Sequence, residues 1–96
     1  MTVDKIIELF ETYEDDFLKF DKIPAERRLS KRPDLNAFML LDTLVPETED
    51  IVCCAEHDQI YPSVNLDKLT SITEEQVSDL RRCGLFIEND GLSMFV

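Results

Sequence analysis

The sequence predicts an α+β fold in which helices come first and two β-hairpins follow. Apolar residues recur with helical spacing in the first half of the chain, and strand-like alternation begins after residue 50. Asn89-Asp90-Gly91 lies between two apolar runs and is a strong signal for a tight hairpin turn. The chain has 96 residues, of which 44% are hydrophobic, so we expect one modest core and a single domain covering residues 1–96.

The first predicted element is an amphipathic helix over residues 3–20. Helical spacing places a row of carboxylates on a face away from its apolar residues: Asp4, Glu8, Glu11 and Asp15, widened by Glu14 and Asp16. Neighbours in such a row have Cβ atoms about 5–6 Å apart, which approaches the phosphate spacing of a nucleic-acid strand. The row therefore has two interpretations, a solvated helix face or a surface that imitates a nucleic acid.

A short basic segment separates this helix from the second one. Residues 21–32 contain five bases and two acids, whereas residues 33–66 contain seven acids and no Lys or Arg. We expect the basic segment to neutralise neighbouring carboxylates rather than to bind a partner. Pro33 is predicted to open the second helix, over residues 34–45, and Pro46 to end it. This helix is apolar over a wide arc, which predicts a central position in the core.

Two hairpins and a third helix complete the predicted fold. Residues 51–55 and 60–66 are predicted strands, and Pro62 assigns the second of them to a sheet edge or a bulge. Thr73 and Gln76 have the spacing of a capping box, which starts a helix that Gly84 ends. We expect one antiparallel sheet with helices on one face. The predicted core consists of Ile7, Phe10, Phe17, Phe38, Leu41, Leu44, Val52, Val64, Leu80, Leu85 and Met94.

A winged-helix-like fold is the alternative. It would use residues 66–71 as a short helix, residues 73–83 as the recognition helix and the last hairpin as the wing. The acids of that recognition helix would repel phosphates. A regulator of this kind would contact DNA through basic residues of the preceding segment, namely Arg27, Arg28, Lys31 and Arg32.

The net charge of −11 limits the possible partners. An acidic chain is repelled by nucleic-acid backbones and by anionic lipids, and it suits basic protein partners. The first residues are acidic where a signal peptide would be basic, and no apolar run is long enough to span a membrane. Three cysteines with one adjacent pair do not form a disulfide framework, so we expect free thiols and a cytoplasmic location.

Sequence evidence for metal binding or catalysis is sparse. The candidate ligands for a soft metal are Cys54, His57 and Cys83, with Cys53 beside them. In a regular strand Cys53 and Cys54 would point to opposite faces. Buried thiols usually fill cores, so we predict no metal site and no cofactor. The chain also lacks a nucleophile motif and a glycine-rich phosphate loop, and we predict that it is not an enzyme.

Three phrases carry a resemblance to other proteins: AEHDQIYPSVNLDKL, TEEQVSDLRRCG and the terminal GLSMFV. With them the C-terminal two-thirds resembles small uncharacterised proteins of phages and other mobile elements. The resemblance implies a short accessory protein, for example an inhibitor of host defence or a host-takeover factor. It assigns no functional residue.

These observations lead to one functional expectation, a small acidic binding protein that acts by protein–protein interaction. The more specific version inhibits a nucleic-acid-binding enzyme by charge mimicry. The expected contacts are first Glu8, Glu11, Asp15 and Asp16, and second Glu47, Glu49 and Asp50. The alternatives are the winged-helix-like transcriptional regulator and a structural component that self-associates, and the oligomeric state stays open.

Overall fold

Three helices and a four-stranded antiparallel sheet make up the fold. The computed structural model describes residues 1–46 and 49–95. The elements are α1 (Val3–Thr12), α2 (Pro33–Leu44), β1 (Val52–Glu56), β2 (Gln59–Pro62), α3 (Glu74–Arg82), β3 (Leu85–Glu88) and β4 (Gly91–Phe95). The strand order is β1-β2-β4-β3, so the two hairpins join into one sheet through β2 and β4. The predicted α+β class is confirmed.

The core lies between the helices and the inner face of the sheet. Leu85 pairs with Met94 and Ile87 pairs with Leu92, which places these four side chains on one face of the C-terminal hairpin. Six residues of the predicted core are buried: Phe10, Leu41, Val64, Leu80, Leu85 and Met94. The other five are only half-buried: Ile7, Phe17, Phe38, Leu44 and Val52. The connection from β2 to α3 adds three buried residues that sequence analysis did not include: Leu66, Leu69 and Ile72.

The first helix is shorter than predicted, since α1 ends at Thr12 instead of residue 20. Its end is held by Arg81, whose Nε donates to the Phe10 carbonyl at 2.9 Å. The chain then forms a 3-10 turn at Glu14–Asp16, and Leu18 adopts a left-handed φ of 63° while its N–H donates to the Arg81 carbonyl at 3.2 Å. Contacts with the end of α3 thus replace the helical hydrogen bonds that the periodicity of residues 3–20 predicted.

Helix α2 has nearly the predicted bounds, but its inward face is rotated. Leu35, an apolar residue in its first turn, is 47% exposed, while the polar Asn36 beside it is buried. The Asn36 Oδ1 accepts hydrogen bonds from the backbone N–H groups of Leu29 and Ser30, at 2.6 and 3.1 Å, and its Nδ2 donates to the Cys83 Sγ at 3.3 Å. These bonds satisfy the buried amide and fix the orientation of the helix.

The β1–β2 hairpin contains the irregularity that Pro62 predicted. Strand β2 lies inside the sheet between β1 and β4, so of the two predicted alternatives, a sheet edge or a bulge, the structure shows the bulge. The expectation of a bulge is confirmed, because Val52 pairs with Pro62 and Cys54 pairs with Tyr61, leaving Cys53 as an extra residue. Proline lacks the N–H that a regular ladder requires, which explains why the register shifts there.

The C-terminal segment matches its prediction most closely. The Thr73 hydroxyl accepts from the Gln76 N–H, and the Gln76 side chain accepts from the Thr73 N–H, which completes the capping box. Gly84 follows α3 with a φ of 103°. The winged-helix-like alternative is not the fold found, since the final hairpin is part of the four-stranded sheet and the predicted short helix is a 3-10 turn at Leu66–Lys68.

Candidate protein-binding surface

Four aromatic side chains lie on or beside the outer face of the sheet. Phe86 pairs with Ser93 in β3 and β4, and strand alternation puts Phe95 on the same side. Tyr61 lies on this side in β2, and Phe17 reaches it from the turn after α1. The Phe86 and Phe95 ring centroids are 4.8 Å apart, and those of Phe17 and Phe86 are 6.2 Å apart. We call Phe17, Tyr61, Phe86 and Phe95 the aromatic face.

An open cavity of about 490 Å³ lies at one end of the aromatic face. It is lined by Glu14, Asp15, Phe17, Arg81, Phe86 and Phe95. Phe95 is 54% exposed, and Leu18, which follows Phe17 in the chain, is 64% exposed. Large apolar side chains gathered at a surface are typical of sites that bind another protein, and aromatic side chains contribute much of the binding energy there.

Carboxylates border the aromatic face at both ends. Glu14 and Asp15 line the cavity at one end, and Glu56 and Glu88 lie near Tyr61 at the other. Partial desolvation raises the pKa of Tyr61, and the charges of Glu56 and Glu88 raise it further. The Tyr61 hydroxyl donates to the Gln59 Oε1 at 2.9 Å. The Gln59 Nε2 in turn donates to the Glu88 Oε2 at 3.3 Å. The face is therefore aromatic in its centre and negative at its rim.

Arg81 shows how this surface accommodates a cation. Its guanidinium carbon lies 5.6 Å from the ring centroids of both Phe10 and Phe17, which is within cation–π range. Desolvation lowers the pKa of Arg81, and the nearby charge of Glu14 opposes that change. Two aromatic rings thus flank a guanidinium within the chain, and the exposed ring of Phe95 lies in the same cavity as Glu14 and Asp15.

The four acidic residues predicted as first contacts have different environments. Glu8 and Glu11 are exposed on α1, where the Glu8 Oε1 lies 3.6 Å from the Lys5 Nζ. Asp15 is exposed and lines the cavity of the aromatic face. Asp16 is turned inward, with only 21% of its side chain exposed. The predicted continuous row is therefore interrupted, because α1 ends before Asp15.

The second predicted group lies elsewhere. Glu49 and Asp50 are exposed and line an open cavity of about 390 Å³ with Val52, Cys53 and Ser63. The Ser63 hydroxyl donates to the Asp50 carbonyl. Glu47 lies outside the described residues. The carboxylates of Glu49 and Asp50 are therefore not part of the aromatic face.

A second set of charges is buried against α3. Asp79, whose side chain is 6% exposed, accepts two hydrogen bonds from Arg27, at 3.0 and 3.1 Å, and one from Arg82 at 3.3 Å. Asp16 accepts from the Ser78 hydroxyl at 3.0 Å and lies 3.7 Å from Arg82. We call Asp16, Arg27, Ser78, Asp79 and Arg82 the α3 ion cluster. Its bonds are internal to the chain, so it contributes to the fold rather than to a binding surface.

The α3 ion cluster also shows what the basic segment does. Arg27 pairs with Asp79 and with Glu75, which lies 3.2 Å away. Arg28 donates to the backbone carbonyls of Ile23 and Asp21 at 2.8 and 3.0 Å. These contacts confirm that Arg27 neutralises carboxylates. Lys31 and Arg32 are exposed, and within the described ranges neither forms an ion pair.

The three cysteines lie in two different environments. Cys83 is buried, and desolvation raises the pKa of its thiol to about 11. Cys53 and Cys54 are both exposed on β1. The alternation that would point them to opposite faces is broken in β1, because the bulge leaves Cys53 as an extra residue before Cys54. Across residues 1–46 and 49–95, no group of three or more His, Cys, Asp or Glu side chains is arranged to hold a metal ion.

Comparison of the chain with protein-family models, with curated proteins and with solved structures finds no match. The resemblance to phage and mobile-element proteins therefore stays a prediction. Among the helices of the described residues, none is long and apolar enough to cross a membrane.

The aromatic face is not predicted by the sequence pattern. That pattern predicts a core position for Phe17 and no binding role for Phe86 or Phe95. A usable signal was present, because the turn at Asn89-Asp90 fixes the register of the last hairpin and so places Phe86 and Phe95 on one side. The contribution of Phe17 was not readable, since the periodicity placed it within a helix that ends earlier.

Proposed function

We propose that this protein is a non-enzymatic binding protein that docks onto a basic segment of another protein through the aromatic face and its acidic rim. The observation that carries the proposal is the cavity in which Glu14 and Asp15 lie beside the half-buried rings of Phe17 and Phe86 and the exposed ring of Phe95. Lysine and arginine side chains bind to such a combination, through the ring faces and through the carboxylates.

Three further features support a basic protein partner. The net charge is −11, which attracts basic surfaces and slows association with nucleic acids. The rim carboxylates are exposed, whereas Asp16, Arg27 and Asp79 are paired inside the chain. The exposed free thiols of Cys53 and Cys54 suit a reducing compartment, which supports a cytoplasmic location as part of the proposal.

The structure weakens the charge-mimicry version of the proposal. Mimicry needs a regular row of carboxylates, but Asp15 is no longer on the helix that carries Glu8 and Glu11, and Asp16 is paired with Arg82. Two separate acidic surfaces remain, α1 and the rim of the aromatic face. An experiment that changes each of them separately decides which one binds.

The test compares two variants that change the net charge equally. One carries Glu14→Lys and Asp15→Lys in the rim, and the other carries Glu8→Lys and Glu11→Lys on α1. Each protein is used to capture partners from a nuclease-treated lysate of the source cells at low and high salt, and captured proteins are identified by mass spectrometry. We expect the wild type and the α1 variant to capture the same basic partner at low salt, with less capture at high salt.

The rim variant is expected to lose that partner while it keeps the circular dichroism spectrum and the thermal midpoint of the wild type. If the rim variant captures the partner and the α1 variant does not, the binding surface is α1, and charge mimicry becomes the better explanation. Equal capture by both variants would refute both acidic surfaces. Phe95→Ser in the wild-type background separates the ring from the charges, since it removes the aromatic contact and leaves Glu14 and Asp15 in place.

A further inference from the structure

Two adjacent thiols lie exposed on the edge strand of the sheet. Neighbouring residues of a regular strand point to opposite faces, so their side chains cannot act together. The bulge removes this restriction, because Val52 pairs with Pro62 and Cys54 pairs with Tyr61, and Cys53 is the extra residue between them. Both thiols are exposed and neither is in a disulfide.

The surroundings of the two thiols are acidic. Partial desolvation raises the pKa of the Cys54 thiol, and a side-chain hydrogen bond with Cys53 raises it further, as does the charge of Glu56. On the other side, Cys53 shares an open cavity of about 390 Å³ with Glu49 and Asp50. The pair is therefore accessible, adjacent in the bulge and bordered by carboxylates, which disfavours anionic reagents and thiolate-dependent exchange.

The site offers two sulfur atoms, those of Cys53 and Cys54, and this number limits the metal or metalloid centres that it can bind. A structural zinc ion takes four ligands, and the part of the chain that the structure describes offers no group of three or more suitable side chains. Soft metal and metalloid centres bind thiolates preferentially, and some of them need no more than two thiolate ligands. We propose that Cys53 and Cys54 form a chelating dithiol site for a soft, neutral or cationic centre that bonds two sulfur atoms at once. Trivalent arsenic and Cu(I) share this chemistry.

The bond changes balance without an external oxidant. With phenylarsine oxide, the two S–H bonds and the arsenic–oxygen bond break, and two arsenic–sulfur bonds form. The thiol protons leave with the oxygen as one molecule of water, and arsenic stays trivalent. With Cu(I), the two thiol protons pass to the buffer and the metal is held by two thiolates.

The experiment uses the full reduced chain without air. One arm adds phenylarsine oxide, and the other adds Cu(I) in competition with a coloured Cu(I) chelator. Native mass spectrometry is expected to show one phenylarsenic unit or one copper per chain. Because chelation makes the second sulfur bond intramolecular, Cys53→Ser and Cys54→Ser should each weaken binding by about 100-fold or more. Cys83→Ala is the matched control and should bind like the wild type.

Each outcome decides the proposal. Binding in either arm that both serine variants lose supports the dithiol site, and the arm in which it occurs identifies the class of centre. Binding in neither arm overturns the proposal, and so does binding that either serine variant retains. A complex with one centre for two chains also overturns it, because the thiols would then bridge molecules. Circular dichroism verifies that the serine variants fold. Cys54 pairs with Tyr61 of the aromatic face, but the binding experiment above changes Glu14, Asp15 and Phe95 and leaves both thiols in place, so failure of one proposal is distinguishable from failure of the other.

Discussion

The α3 ion cluster and the aromatic face begin at neighbouring residues and use their side chains in opposite ways. Asp16 turns inward to Ser78 and Arg82, whereas Asp15 and Phe17 on either side of it face an open cavity. In the cluster, each charge has a close partner within the chain. On the aromatic face, by contrast, Glu14, Asp15 and the ring of Phe95 are exposed to solvent. The comparison shows that the environment of a carboxylate, and not its place in an acidic run, decides whether it can serve binding.

The largest effect is expected from breaking the α3 ion cluster. Asp79→Ala leaves Arg27 and Arg82 without their central partner. Removing one member of a buried pair costs about 3–5 kcal/mol; Arg27 is 35% exposed and can regain water, so we expect a loss of about 2–4 kcal/mol. Urea denaturation measures the free energy of unfolding. Asp42→Ala, at an exposed position on α2, is the control and should change it by less than about 0.5 kcal/mol. A loss from Asp79→Ala no larger than that of the control would show that the cluster does not stabilise the fold.

An intermediate effect on stability is expected from alkaline pH, through the buried thiol of Cys83, the residue after Arg82 of the α3 ion cluster. Burial raises the folded-state pKa of Cys83 to about 11, above the value of roughly 8.5 of an unfolded thiol. The fold therefore favours the neutral thiol. The contribution of Cys83 to the free energy of unfolding is fully present below the unfolded-state pKa, and it is lost as pH rises through the folded-state pKa. The free energy of unfolding should fall by up to about 1.4 kcal/mol per pH unit in this window.

Cys83→Ala removes the titration of this thiol, so comparison of the variant with the wild type separates the effect of Cys83 from that of the tyrosines. Denaturation of both proteins at a series of pH values from 8 to 11, in the presence of reductant, measures the difference. We expect the stability of the variant to vary less with pH, although it starts from a lower value because the thiol packing is lost. Parallel pH profiles for the two proteins would contradict the assignment to Cys83.

The smallest effect on stability is expected on the aromatic face. Phe95 is 54% exposed, so Phe95→Ala should lower the free energy of unfolding by less than about 1 kcal/mol. Phe10→Ala is the contrasting variant, because Phe10 is only 2% exposed and removing a buried phenylalanine costs about 3–5 kcal/mol. Denaturation in urea compares them. A large loss from Phe95→Ala would make the aromatic face part of the core and remove its availability for a partner.

Local signals in the sequence were reliable where backbone chemistry decides the structure. The capping box at Thr73 and Gln76, the stop at Gly84 and the tight turn at Asn89-Asp90 each depend on a few adjacent residues. Pro62 likewise predicted a bulge, because a missing N–H disturbs the ladder wherever the strand lies. From these features the α+β class and the order of its elements could be predicted.

The candidate site was less predictable because it depends on where elements end and meet. The acidic row on residues 3–20 assumed a continuous helix, and nothing local to that segment signals a stop at Thr12. The stop comes from Arg81, which is distant in sequence and binds the Phe10 carbonyl. The periodicity therefore predicted Asp15 as a contact without the rings beside it, and it also predicted Asp16, which is paired internally.

The sequence by itself determined the acidic character, the helices and hairpins and the turn that aligns the last two strands. These follow from composition, periodicity and short-range backbone preferences. Only the tertiary structure decided which face of α2 is buried, which carboxylates are paired and which aromatic rings lie together on the outer face of the sheet. Those outcomes depend on contacts between residues far apart in the chain, such as Arg27 with Asp79 and Asn36 with Cys83. The energy of such contacts exists only once the elements have packed.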